Sequence, residues 1–213
     1  MEGSRNLPNV ITVGRIVACP AVLFLALSPS MGARFAAFVL FVGAGLSDLW
    51  DGYLARKHGW VTNVGKLLDP AADKLLLLST FIPFYVISHR GGEEGLIPWW
   101  GALPMWVLIV ILGRELLVTL FRQWAVRHDV VIAAGTSGKY KALLQNLFSG
   151  ALLLWYPLQE LAGTLGLANV FYRAFVEFHA AWIGLTLGFA LILTIYSMVD
   201  YLWSYRGLMG LRD

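Results

Sequence analysis

Cysteine is nearly absent: Cys19 is the only one in 213 residues, so an internal disulfide and the paired-cysteine zinc and redox motifs are excluded. Charge is scarce as well. Only 14% of the residues are charged and 58% are hydrophobic, too little polar material to clothe an ordinary soluble domain. The net charge of +3 comes with no basic-aromatic patch; this argues against nucleic-acid binding and suits contact with anionic lipid headgroups. Low-complexity segments, linkers and repeats of fixed period are missing too, so residues 1–213 read as a single unit. His58, His89, His128 and His179 are scattered and form no ligand set.

What fills the chain is long apolar runs. Runs near 7–28, 33–57, 68–88, 97–126, 140–158 and 180–204 approach the roughly 20 residues a helix needs to cross a hydrocarbon core. The expectation is an all-α integral membrane protein with six transmembrane helices. Asn9, Thr12 and Arg15 interrupt the first run, which therefore reads as a span rather than a cleaved leader. Thirteen of the sixteen Lys and Arg residues fall at the termini or around the second and fourth connections, leaving Arg34, Arg90 and Arg173 for the others. Basic residues stay on the cytoplasmic side during insertion, so both termini are expected there. The segment 89–95 reads as an outer turn, and 155–182 as an outer connection with a short surface helix. Trp99, Trp100, Trp155, Trp182 and Trp203 read as interfacial anchors.

Against this background, residues 48–74 place four aspartates among leucines and alanines. Asp48 and Asp51 share a helix face with Gly52, and Gly65, Asp69 and Asp73 recur every four residues on the next helix, so the two stripes can face each other. Pro70 suits a helix that Asp69 caps or opens, with a kink as the alternative. Each carboxylate at mid-membrane costs about 2.5–3.5 kcal/mol on insertion scales, and mutual repulsion adds to that. One or two divalent cations would compensate. Oxygen donors without His or Cys suit Mg²⁺, Mn²⁺ or Ca²⁺, and Mg²⁺ commonly completes its shell with substrate phosphate. Gly52 and Gly65 either admit a bulky ligand or permit close helix packing. Arg56 either pairs with the carboxylates or holds phosphate oxygens.

Written out, the stretch is D-x2-D-G-x2-A-R-x8-G-x3-D-x3-D, filled by Asp48, Asp51, Gly52, Ala55, Arg56, Gly65, Asp69 and Asp73. It resembles the signature of the CDP-alcohol phosphotransferases in every defining position. The resemblance implies a six-helix membrane enzyme that moves a phosphate-linked group from a CDP-alcohol to an acceptor hydroxyl, releasing CMP. It implies that Asp48, Asp51, Asp69 and Asp73 hold the metal ions, two Mg²⁺ or Mn²⁺, and that Asp73 is the general base. A carboxylate directly on a metal is a weak base, so Asp73 must be bound less tightly or act through water. The same resemblance places CDP against Asp48, Gly52, Ala55, Arg56 and Gly65, and suggests a homodimer.

The signature leaves the acceptor open. The stretches 6–16, 113–126, 138–145 and 194–202 resemble the branch of the family that joins CDP-diacylglycerol to glycerol 3-phosphate; Ala142 departs from it, since threonine is common there. Arg114, Arg122, Lys139 and Lys141 form a cationic group around the fourth connection and are the candidate acceptor-phosphate ligands, with topology signalling as the plainer explanation. Arg114 and Glu115 lie within an apolar run and demand partners or water. Asn9, Thr12 and Arg15 either reach the nucleotide or acceptor, as the resemblance suggests, or position the first helix. The alternatives are another acceptor, such as inositol phosphate or phosphatidylglycerol, and a cation pathway lined by carboxylates. The expected setting is a plasma (inner) membrane, with the site facing the cytoplasm.

Overall fold

The computed structural model describes residues 7–59, 62–128, 136–167 and 169–206. It is all-helical there: α1 (Leu7–Leu27), α2 (Met31–His58), α3 (Asn63–Arg90), α4 (Met105–Val126), α5 (Thr136–Leu165) and α6 (Val170–Ser204), with one short 3₁₀ turn at Gly92–Gly95. Four helices, α1, α2, α3 and α6, contain stretches long and apolar enough to cross a membrane. The run of α4 carries Arg114, Glu115 and Arg122, and α5 opens with Lys139 and Lys141.

The buried positions follow the sequence closely. On α1 they are Pro8, Thr12, Arg15, Cys19, Val22 and Ala26, and on α2 Ala37, Phe41, Ala44 and Asp51 with Asp48 in register. Steps of three and four residues keep one seam facing a neighbouring helix, and the alanines let backbones approach. Both seams are apolar at one end and charged at the other. α1 packs along both α2 and α3, which touch each other little; α5 packs on α6 and α2, and α4 mainly on α6. On the apolar side Phe81, Phe84 and Phe148 meet edge-on or tilted, with ring centroids 5.5–6.0 Å apart, and lock α3 to α5.

Helix limits differ from the sequence expectation in three places. α3 starts at Asn63, where the Thr62 hydroxyl caps it by accepting from Gly65 N at 2.9 Å. Pro70 is thus inside the helix, where it supplies no N–H to the carbonyl four residues back. The run at 97–126 becomes helical only at Met105, because residues 97–101 fold back through paired Ile97–Gly101 bonds of 2.9 Å, with Trp99 in the left-handed region at φ 69°. Trp100 Nε1 donates to Gly184 O at 3.1 Å, and a Cβ on Gly184 would come within 2.6 Å of the Trp99 ring. These tryptophans therefore clamp the turn to α6 as well as lying near a span end. Finally, most of the expected surface connection at 155–182 is helix: residues 155–165 continue α5, where Pro157 is accommodated, residues 170–182 open α6, and α5 is followed by Gly166, whose φ of 60° suits glycine.

Candidate active site

Helix geometry brings three charged stretches to one level. Arg15 lies eight residues into α1, Asp51 seven residues before the end of α2, and Asp69 six residues into α3. At 1.5 Å per residue, each is about 9–12 Å from its helix end. The start of α1, the end of α2 and the start of α3 lie on the same side, so the three stretches meet.

They meet on α1. The Arg15 side chain is 0% exposed; its Nη2 donates to Asp51 Oδ2 at 2.7 Å, and its Nη1 pairs with Asp48 Oδ1 and reaches Asp73 Oδ1 at 3.4 Å. Thr12, one turn earlier on the same face, places its hydroxyl 3.0 Å from both Asp69 Oδ1 and the Pro8 carbonyl, and 3.5 Å from Asp51 Oδ2. With one proton, that hydroxyl donates to one acceptor at a time. The two aspartate stripes thus face a guanidinium and a hydroxyl of α1, which mediate between them. One more turn toward the helix start, Asn9 Oδ1 accepts from Thr62 Oγ1 at 2.8 Å.

The carboxylates differ in access. Asp51 is 5% exposed, Asp48 41% and Asp73 64%, while Asp69 is half-buried. Asp73 makes the longest contact with Arg15 and is the most open to an incoming group. Arg15 alone does not balance four carboxylates. Among the described residues no three acidic, His or Cys side chains are already gathered as a metal cage; the position between Asp48, Asp51 and Asp73 is taken by the guanidinium. A cation at the focus of three hard-oxygen donors shows that the place suits positive charge, and the donor set fits Mg²⁺ or Mn²⁺.

Of the other expected nucleotide contacts, Gly52 is half-buried on α2 beside Asp51. A Cβ at Gly65 would lie 2.9 Å from Asn9 Oδ1 and 3.1 Å from Thr62 Oγ1, so close approach of α1 accounts for this glycine without a ligand. The side chains of Ala55 and Arg56 lie outside the described residues.

A second charged group lies between α4 and α5. Glu115 Oε1 accepts from Arg114 Nη1 at 3.2 Å and pairs closely with the buried Lys141 ammonium. Arg114 is buried as well, and its Nη2 lies near the start of α5, where a Cβ on Gly138 would be 3.7 Å away. Lys139, two residues before Lys141, is exposed. Arg122 is two turns further along α4, with its guanidinium carbon 5.8 Å from the Tyr201 ring centroid. The structure therefore unites Arg114 and Lys141 around Glu115 and leaves Lys139 and Arg122 apart from that pair. α3, which carries Asp69 and Asp73, packs on both α4 and α5, the helices that hold this second group.

The sequence model of the CDP-alcohol phosphatidyltransferases matches residues 5–190, which include α1 to α5, both charged groups and over half of α6. The chain belongs to this family. A Rickettsia bellii protein named CDP-diacylglycerol–glycerol-3-phosphate 3-phosphatidyltransferase is 34% identical over 92% of the chain and 95% of its own length. A Mycobacterium tuberculosis protein named probable phosphatidylglycerophosphate synthase is 34% identical, covering 98% of the chain and 86% of the relative. A Bacillus subtilis protein with the same name as the Rickettsia relative is 37% identical over 70% of the chain and 77% of its own length. In this member of the family, Arg15 and Thr12 tie the four signature aspartates into one group. The residues undervalued by sequence reasoning are these two; their trace was a polar i, i+3 pair on one face of an otherwise apolar helix.

Proposed function

We propose that the chain transfers the phosphatidyl group from CDP-diacylglycerol to glycerol 3-phosphate, giving phosphatidylglycerophosphate and CMP. The observation that carries this reading is the gathering of Asp48, Asp51, Asp69 and Asp73 on α1, beside a second group that offers Arg114 and Lys141. The names of the relatives supply the donor and the acceptor.

In this reading the four aspartates hold divalent cations, two Mg²⁺ or Mn²⁺. Such ions, when bound, neutralise the pyrophosphate and the charge that develops on departing CMP. Gly52 leaves room on α2 for the nucleotide, Gly65 lets α1 approach α3 beside it, and Ala55 and Arg56 complete that surface. Asp73, the most exposed of the carboxylates contacting Arg15, accepts the proton of the acceptor hydroxyl. The hydroxyl oxygen forms a bond to the phosphatidyl phosphorus as the bond from that phosphorus to the CMP oxygen breaks, and CMP leaves with the electron pair. Arg114 and Lys141 hold the acceptor phosphate, with Lys139 and Arg122 steering it from the rim.

The topology belongs to the same reading: α1 to α6 all span an inner, plasma membrane, with both termini and the aspartates toward the cytoplasm. Its support is the concentration of Lys and Arg at the termini and around the connections after α2 and α4. Family resemblance supports a homodimer. The test is CMP release from CDP-diacylglycerol by the detergent-purified protein with Mg²⁺ or Mn²⁺, with glycerol 3-phosphate, inositol phosphate, inositol, serine or phosphatidylglycerol added separately. Selective release with glycerol 3-phosphate, abolished by EDTA, is expected; selectivity for another acceptor would overturn the acceptor assignment.

A further inference from the structure

Arg15 is more than a structural ion pair requires. Its side chain is wholly buried, yet it contacts three carboxylates that belong to two helices making little contact with each other. Those carboxylates meet at one level of the bundle, where repulsion would otherwise drive them apart. A guanidinium keeps its charge at any pH the protein meets, unlike a lysine, and its planar fork can serve several acceptors at once. Its Nε is buried with no hydrogen-bond partner among the described residues, so the group is incompletely satisfied where it stands. It also occupies the position between Asp48, Asp51 and Asp73, so a fixed positive charge stands where divalent ions would enter.

We propose that Arg15 is the resident counter-cation of the aspartate group: it holds α2 and α3 in register when no divalent ion is bound, and it sets by competition how tightly such ions are taken. This rests on the reading of the four aspartates as a divalent-cation site. Arg15 acts through the carboxylates and is a positioning residue. Two consequences follow from electrostatics. Removing its charge raises the negative potential at the site and strengthens cation binding, while depriving the cation-free fold of its internal tie.

The experiment compares the detergent-purified wild-type protein with Arg15→Gln and Arg15→Lys. Mn²⁺ is the probe, its free concentration is read by electron paramagnetic resonance, and thermal unfolding is followed in EDTA and in Mn²⁺. Arg15→Gln is expected to bind Mn²⁺ about tenfold more tightly than wild type or better. Its Tm is expected to fall in EDTA and to recover in Mn²⁺, with a larger Mn²⁺-induced gain than wild type shows. Arg15→Lys keeps the charge and is expected to stay within about threefold of the wild-type Mn²⁺ affinity. Unchanged or weaker Mn²⁺ binding by Arg15→Gln, beside normal binding by wild type, would overturn the role of Arg15 and leave the cation site standing. No Mn²⁺ binding by folded wild type would overturn both. Should Arg15→Gln unfold in EDTA, it is purified in Mn²⁺ and its affinity read by chelator competition. Failure to fold in Mn²⁺ as well would also refute the proposal, because a divalent ion would then be unable to replace the guanidinium.

Discussion

Around Arg15 one guanidinium stands among carboxylates, whereas around Glu115 one carboxylate stands between a guanidinium and an ammonium. In both places the minority charge is what lets the majority gather inside an apolar bundle, where uncompensated ions are costly. The remaining charge has opposite sign in the two groups. Around Arg15 the excess is negative and suits cations; around Glu115 it is positive and suits phosphate. A reaction between a pyrophosphate donor and a phosphorylated acceptor needs both, adjoining but separate, since a single mixed cluster would neutralise itself.

The contrast can be broken from either side. The largest effect is expected from Glu115→Gln, which leaves Arg114 and Lys141 buried without their carboxylate. A loss of about 3–5 kcal/mol follows from removing one partner of a buried ion pair, read as a fall in Tm and in yield of folded protein. Next come Asp48→Asn and Asp69→Asn, expected to lower CMP release by about 100-fold or more while the protein still inserts, since even residues behind metal ligands commonly matter 10–100-fold. Retained metal-dependent turnover in both would sink the assigned site.

Smaller effects sharpen the comparison. Arg114→Lys keeps the charge and loses the planar fork, so KM for glycerol 3-phosphate is expected to rise about tenfold with kcat less affected, provided Arg114 grips phosphate. Steady-state kinetics with varied acceptor decides it; an unchanged KM would confine Arg114 to pairing with Glu115. Smallest is Lys139→Gln. This lysine is exposed, and a screened surface charge should change acceptor KM by less than about threefold. A larger change would move the acceptor toward the rim.

Legibility varied with how local the signal was. Asp48 with Asp51, and Asp69 with Asp73, were recognisable because spacings of three and four residues mark a helix face whatever the helix later meets. The start of α4 was obscured because Trp99 and Trp100 read as part of an apolar run, while their turn depends on contacts with Gly184 of α6. The extents of α5 and α6 were underestimated because Glu160, Arg173 and Glu177 suggested a surface connection, although none of them breaks a helix. Lys139 and Lys141 looked equivalent two residues apart. On a helix that spacing turns them to different faces, and the packing of α4 and α6 decided which one is buried.

By itself the sequence determined that the chain is helical and apolar, that its basic residues are gathered at particular connections, and that its four aspartates form two helix stripes. These depend on composition and on the period of the helix, which act within a few residues. The tertiary structure alone decided that α1 mediates between those stripes, that Arg15 rather than a nearer residue neutralises them, and that Glu115 takes Lys141 and leaves Lys139 outside. Those choices join residues 26 to 58 positions apart, and only the packing of whole helices fixes which charges come within reach of one another.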